Sequence, residues 1–131
     1  MIPKFKAWIK EVKEMRTVEC LYFDEKNKVA QIFVHPKKDD PEDFALAYFP
    51  KQVELMQSTG LFDDRRKEIY EGDIVLWAIY ELGNDDGSFE GKLIVDQNPY
   101  HLTRLYDSNS LEVIGNIYEN PELKKGGNLW V

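Results

Sequence analysis

A chain of 131 residues, 43% apolar and 13% aromatic, has the length of one domain and enough apolar side chains to pack a core, which excludes intrinsic disorder. Its formal charge of −7 opposes binding to nucleic acid through phosphates unless one face is locally basic. No apolar run approaches the roughly 18 residues of a membrane span, and Met1-Ile2-Pro3-Lys4-Phe5-Lys6 lacks the apolar core of a signal peptide, so the expected compartment is the cytoplasm.

Near the start, Phe5, Trp8, Ile9, Val12 and Met15 recur at spacings of three and four, which fits one face of a helix. The same stretch also reads as a short strand, Phe5 to Trp8, followed by a turn before Met15. Thr17 to Phe23 and Val29 to Val34 are rich in β-formers and flank the polar Asp24-Glu25-Lys26-Asn27-Lys28, a pattern that predicts a hairpin. Cys20, the single cysteine, rules out an internal disulfide and a cysteine-rich zinc site, and Val18, Leu21, Tyr22 and Phe23 around it predict a buried, inert thiol. His35-Pro36 ends the second strand. Asp40 and Pro41 form a candidate helix start, and Phe44 to Phe49, stopped by Pro50, reads as a short helix in preference to a strand.

Val53 to Gln57 alternates as a strand that Gly60 is expected to break, and the charged loop Asp63 to Glu68 follows. Gly72 turns the chain into Ile74 to Tyr80, apolar at every position. Because successive strand side chains face opposite ways, that run requires cover on both faces. Further strands are expected at Phe89 to Val95, Leu102 to Tyr106 and Leu111 to Tyr118, with Gly115 a candidate bulge and Pro121 to Leu123 a helical turn. Short strands at roughly ten-residue spacing from Val53 onward predict a small SH3-like barrel. After Gly126-Gly127 the chain ends in the apolar tip Leu129, Trp130 and Val131.

Three stretches carry a resemblance. Leu55-Met56-Gln57-Ser58-Thr59-Gly60-Leu61, an Asp-containing loop, and Lys67-Glu68-Ile69-Tyr70-Glu71-Gly72-Asp73-Ile74-Val75 form the central one. Ile2 to Trp8 and Leu111-Glu112-Val113-Ile114-Gly115-Asn116-Ile117-Tyr118-Glu119-Asn120-Pro121-Glu122-Leu123 flank it. Together they resemble the YopX family of phage and prophage proteins. The resemblance implies an SH3-type barrel in the later part of the chain and supplies no activity or catalytic residue. Relatives often carry a loop like Asp-Lys-Asn-Gly where this chain has Asp63-Asp64-Arg65-Arg66, without the glycine, which leaves the loop conformation open.

The acidic pairs Asp39/Asp40, Asp63/Asp64 and Asp85/Asp86 lie in turn-like stretches, where Asp hydrogen-bonds nearby backbone, and lack the ligand spacing of a metal site. His35 and His101 are remote from each other in sequence, and nothing local activates Cys20 towards either. Ser58-Thr59-Gly60 is expected to serve backbone geometry, the hydroxyls capping a turn. Trp77 and Phe89 read as core. Tyr80, Tyr100 and Tyr106 are candidate rim residues of a groove, and Arg65, Arg66 and Lys67 form one basic cluster that Lys92 and Arg104 would extend into an anion patch.

The expected fold is therefore mainly β (α+β at the N-terminus). Residues 1–52 form a hairpin-containing layer packed on an SH3-like barrel over 53–131, the whole making one compact unit. The expected function is a non-enzymatic phage or prophage accessory protein, a binding or assembly module without cofactor or metal. It would self-associate as a homo-oligomer through apolar strand faces or Leu129, Trp130 and Val131. The alternative is a nucleic-acid or nucleoprotein-binding module that uses Arg65, Arg66, Lys67 and the barrel aromatics. A hydrolase using paired acids and a divalent ion stands behind both.

Overall fold

The computed structural model describes residues 4–35, 46–79, 89–96 and 110–124. Among them are nine strands: β1 (Phe5–Ile9), β2 (Glu14–Phe23), β3 (Val29–Val34), β4 (Leu46–Tyr48), β5 (Val53–Phe62), β6 (Glu68–Tyr70), β7 (Asp73–Ile79), β8 (Phe89–Ile94) and β9 (Ser110–Asn116). Two 3-10 turns, Pro50–Gln52 and Pro121–Lys124, complete the regular structure, so the described chain is mainly β and every ladder is antiparallel. No helix among the described residues is long and apolar enough to cross a membrane. The chain divides into two compact units, Met1–Gln57 and Ser58–Val131, with β5 running from the first into the second.

In the first unit the strand reading of the N-terminal stretch holds. Phe5–Ile9 pairs with β2 on one side and β5 on the other, burying Ala7 and Ile9, while the chain turns through Lys13 at φ 54°. Val12, the residue that completed the apparent helical face, sits 55% exposed in that turn. The helix expected over Phe44 to Phe49 is overturned: Leu46–Tyr48 is a strand on the edge of β3. A segment that Pro50 limits to less than two turns gains little from its own helical bonds, whereas β3 offers a ready ladder. Residues 36–45, including the proposed start at Asp40 and Pro41, lie outside the described residues.

The strand order in this unit is β4-β3-β2-β1-β5, and only Phe49 and the 3-10 turn separate its edge strands. Laid flat, the two edges would be four strand spacings apart, about 19 Å. One extended residue and one 3-10 turn bridge only about 10–13 Å, so the sheet has to curl. The turn is fixed by two hydrogen bonds between its ends, the Phe49 N–H donating to Gln52 Oε1 (2.8 Å) and the Gln52 N–H to the Phe49 carbonyl (2.9 Å). The concave face of the roll holds Ala7, Ile9, Ile32, Val34 and Val53, flanked by Val18, Leu21, Val29, Tyr48 and Leu55.

Cys20 is exposed, contrary to expectation. The ladder between β2 and β3 slips one residue between Val18 and Cys20, leaving Glu19 unmatched. Before that bulge Val18 lies opposite the buried Val34. After it Leu21 lies opposite the buried Ile32, so Cys20 turns outward with its register partner Phe33.

The second unit contains the sheet β8-β7-β9 and a ladder between the end of β5 and β6. Ile74 and Val75 are both fully buried, so β7 is covered on both faces at its start, as an unbroken apolar run requires. Further along, Trp77 is buried while Leu76 and Ala78 are half-buried. Val75 and Trp77 join Ile69, Leu93, Val95 and Leu111 in one core, and Gly91 opposite Trp77 leaves room for the indole. The closed cylinder expected here is corrected: among the described residues no ladder joins the free edges of the two sheets. In its place, hydrogen bonds from the loop after β5 fasten the outer edge of β9, as set out below. The strand expected at Leu102 to Tyr106 falls outside the described residues.

Gly60 does not end its strand. Ser58 pairs with Tyr70 and Phe62 with Glu68, so Thr59, Gly60 and Leu61 together face the single residue Ile69 in a wide bulge, with Gly60 at φ 79°.

Candidate functional site

The stretch that carries the family resemblance is a set of clips between side chains and backbone. Ser58 Oγ accepts from the Gly60 N–H (3.0 Å), and Thr59 Oγ1 accepts from the Leu61 N–H (3.1 Å) while donating to the Ile69 carbonyl (2.7 Å). The two hydroxyls thus serve backbone geometry as expected. Thr59 does more, tying the bulge of β5 to β6.

Asp63 anchors the charged loop. Its carboxylate accepts from the backbone N–H groups of Arg65 (2.9 Å), Lys67 (2.8 Å) and Val113 (3.0 Å), the last on β9. The neighbouring Asp64 donates its N–H to the Leu111 carbonyl (2.9 Å), and its carboxylate accepts from Ser110 Oγ (2.6 Å). Burial alone would raise the Asp63 carboxyl, but the three backbone donors and the nearby Lys67 charge outweigh it and hold the group below its ordinary value. These are the amides a phosphate would need from this loop, and the chain's own carboxylate already occupies them.

Arg66 adopts φ 65°. The loop thus turns through an arginine in the left-handed region. Such a conformation costs a non-glycine residue about 1–2 kcal/mol.

A second clip closes the following turn. Asp73 is buried, its Oδ2 accepting from the Tyr70 N–H (2.7 Å), while Gly72 at φ 90° donates to the Val95 carbonyl (2.7 Å) and accepts from the Ile117 N–H (2.9 Å). Burial pushes the Tyr70 phenol up, with the Glu68 charge and hydrogen bond adding to it, so the group stays protonated at neutral pH. The C-terminal stretch behaves alike. Asn116 Oδ1 accepts from the N–H groups of Tyr118 (3.0 Å) and Glu119 (2.8 Å), and Asn120 Oδ1 accepts from the Asn116 N–H (3.2 Å). Gly115 lies beneath them, opposite the register slip in β7–β9 that marks the expected bulge, and an added Cβ would stand 2.5 Å from Asn120 Oδ1.

Arg65, Arg66 and Lys67 are all exposed, and Arg65 Nη2 pairs with Glu112 Oε1 at 3.2 Å. Lys92 Nζ donates to the Leu123 carbonyl (2.9 Å). Arg104, Tyr80, Tyr100, Tyr106, Leu129, Trp130 and Val131 lie outside the described residues, as do Asp39, Asp40, Asp85, Asp86 and His101. His35 is exposed. Among the described residues no group of three or more His, Cys, Asp or Glu is placed to hold a metal ion.

Sequence reasoning missed the caps made by Asp73 and Asn120 and the burial of Arg16, 9% exposed, whose guanidinium donates to the His35 carbonyl and lies 3.6 Å from Glu14. Asp directly after Gly72 was a legible signal for the first. Nothing in the pattern around Arg16 marked it as buried.

Comparison with functionally curated proteins gives no match. Among solved structures, the chain is similar to the crystal structure of protein EF1440 from Enterococcus faecalis, at 31% identity and a TM-score of 0.56 over 94% of this chain and 98% of that one. The family model described as YopX protein matches residues 4–125, which include the central clips and the C-terminal cap. The chain belongs to the YopX family.

Proposed function

We propose that the chain is a non-enzymatic binding or assembly module, a phage or prophage accessory protein that works through its surface. The observation that carries this reading is the engagement of the signature residues with the chain's own backbone. Thr59, Asp63, Asp73 and Asn116 each hold a turn or bulge, leaving their polar atoms committed to the fold. The exposed aromatics Tyr22, Phe23, Phe49 and Phe62 add contact surface of the kind that binding proteins present. An SH3-like relation of the second unit, without a closed cylinder, belongs to the same proposal and is supported by its short antiparallel strands and tight turns.

The test is the mass in solution of the full chain and of a chain ending at Lys125, each alone and after passage through host-cell extract. The reading expects a mass above the 15.4 kDa of one chain or a stoichiometric protein partner. A lone monomer throughout overturns it, and unchanged assembly of the shortened chain removes Leu129, Trp130 and Val131 from the interface.

A second reading, nucleic-acid binding by the loop, is favoured by one observation: the Asp63 clip presents three exposed cations on a fixed backbone. It is opposed by Asp64 and Glu112 alongside and by the net charge of −7. It expects salt-sensitive binding that Arg65→Glu with Arg66→Glu abolishes; binding unaffected by the pair excludes the loop.

A further inference from the structure

β9 is an edge strand: β7 lies on one side of it, and among the described residues no strand pairs with the other. Such an edge offers its outward amides and carbonyls to any strand that meets it. Two features of β9 itself oppose pairing, the charge of Glu112, which Arg65 balances, and the register slip opposite Ile74 and Val75. Val113 and Ile114 favour extended chain and work the other way. The rest of the closure comes from side-chain oxygens.

At Leu111 and Val113 the loop after β5 stands in for a strand. In a parallel ladder, one residue of the neighbour donates its N–H to a carbonyl and accepts, through its own carbonyl, from the amide two positions further along. Asp64 makes the first of these bonds, its N–H donating to the Leu111 carbonyl (2.9 Å). The second is made by Asp63 Oδ2, which accepts from the Val113 N–H (3.0 Å). The chain has no room for a full strand here, because Arg66 turns it back in the left-handed region and Glu68 already pairs with Phe62. A carboxylate fills the place of the missing carbonyl.

The far end of β9 is closed in the same way. The Ile117 N–H donates to the Gly72 carbonyl beside β7 (2.9 Å), so by alternation both backbone polar groups of Asn116 point outward. In an antiparallel ladder, the facing residue would exchange two N–H to carbonyl bonds with it. Asn120 supplies both: its N–H donates to the Asn116 carbonyl (2.9 Å), and its side-chain Oδ1 accepts from the Asn116 N–H (3.2 Å).

We propose that Asp63 and Asn120 are edge-closing residues, whose side-chain oxygens occupy the outward amides of β9 and so keep it from pairing with a strand of a second copy. The contact is autoinhibitory, since the groups that would recruit another strand are present and are held by the chain itself. Truncating both side chains leaves the half-buried Val113 and Asn116 amides without their acceptors, and a further strand is what would satisfy them. This inference is independent of the assembly reading above, because a chain that assembles through another surface still has β9 closed.

The test combines Asp63→Ala with Asn120→Ala in the full chain and compares the variant with wild type and with Leu93→Ala. Leu93→Ala truncates a buried core residue on β8 and weakens the same unit while both edge oxygens stay in place. Sedimentation equilibrium runs from micromolar to millimolar protein at roughly 0.5 M salt, where repulsion between copies of net charge −7 is largely screened. The double variant, with a β-type circular dichroism spectrum, should associate at a concentration at least tenfold below that of wild type and of Leu93→Ala. Amide exchange locates the contact: Val113 and Asn116 should lose protection in the dilute double variant and regain it as the mass rises. If the double variant fails to fold, Asn120→Ala alone keeps the Asp63 clip and should show the same loss and recovery at Asn116. A folded variant whose mass follows that of wild type overturns the proposal. So does association that Leu93→Ala matches, or an associated variant whose Val113 and Asn116 amides still exchange freely. Assembly of the wild type bears on the assembly reading alone, since its Val113 and Asn116 amides are held by Asp63 and Asn120 in either case.

Discussion

Replacing Asp63 isolates the contribution of the central clip. Its side chain is 6% exposed and accepts three backbone N–H groups, two in its own loop and one on β9. Hydrogen bonds to a charged group contribute about 1.5–3 kcal/mol each, but water replaces part of the loss at the exposed Arg65 and Lys67. The half-buried Val113 amide has no such substitute within the sheet. Asp63→Ala should therefore lower unfolding free energy by about 3–5 kcal/mol, a large share of the roughly 5–15 kcal/mol of a typical domain. Asp63→Asn keeps one acceptor oxygen but turns an NH2 towards a backbone donor, and should cost about 2 kcal/mol. The folded-state carboxyl lies below its ordinary value of 3.8, so its stabilisation is complete above that value and is lost as pH falls through the lower, folded value. Urea titrations followed by tryptophan fluorescence should thus show a constant gap between wild type and Asp63→Asn at neutral pH, narrowing below 3.8. A gap under about 1 kcal/mol for Asp63→Ala, or a wild-type-to-Asn gap unchanged down to about pH 2, would refute the argument.

Other substitutions probe the same framework. Arg66→Gly should stabilise by about 0.5–1 kcal/mol, because relief of the left-handed strain exceeds the extra backbone entropy of glycine, while Arg66→Val should destabilise; thermal melts of the two should move in opposite directions. Thr59→Val preserves shape but removes the hydroxyl between the Leu61 N–H and the Ile69 carbonyl, and should cost about 1–2 kcal/mol by urea titration. Gly115→Ala drives a Cβ into Asn120 Oδ1 and towards Leu123, and an expected loss of about 1–3 kcal/mol should shrink when Asn120→Ala is added, the sign of a shared contact.

What the sequence made legible was whatever depended on local chemistry. The hairpin around Asp24 to Lys28, the turn at Gly72, the bulge at Gly115 and the double burial at Ile74 and Val75 all follow from residue types within a few positions. What escaped it depended on partners remote in sequence. The spacing of Phe5, Trp8, Ile9 and Val12 fits a helix until β5 is known to lie beside β1. Leu46–Tyr48 has no preference strong enough to matter until β3 claims it. Cys20 reads as core because its apolar neighbours assume an unbroken alternation, which a one-residue slip at Glu19 reverses. The loop is the clearest case. Its aspartates marked a turn, but the left-handed Arg66 and the reach of Asp63 to Val113, fifty positions away, could be found only in three dimensions.

The central claim is that the signature loop is a fixed part of the fold, held by Asp63 and Asp73, and not a mobile reactive segment. Amide hydrogen exchange of the intact protein measures this residue by residue. The account predicts that the Arg65, Lys67, Tyr70 and Val113 amides exchange only through global unfolding, with protection matching that of the core strand amides of Val75 and Leu93. Exchange of the Arg65 and Lys67 amides as fast as that of the exposed turn at Glu11 and Val12 would contradict it.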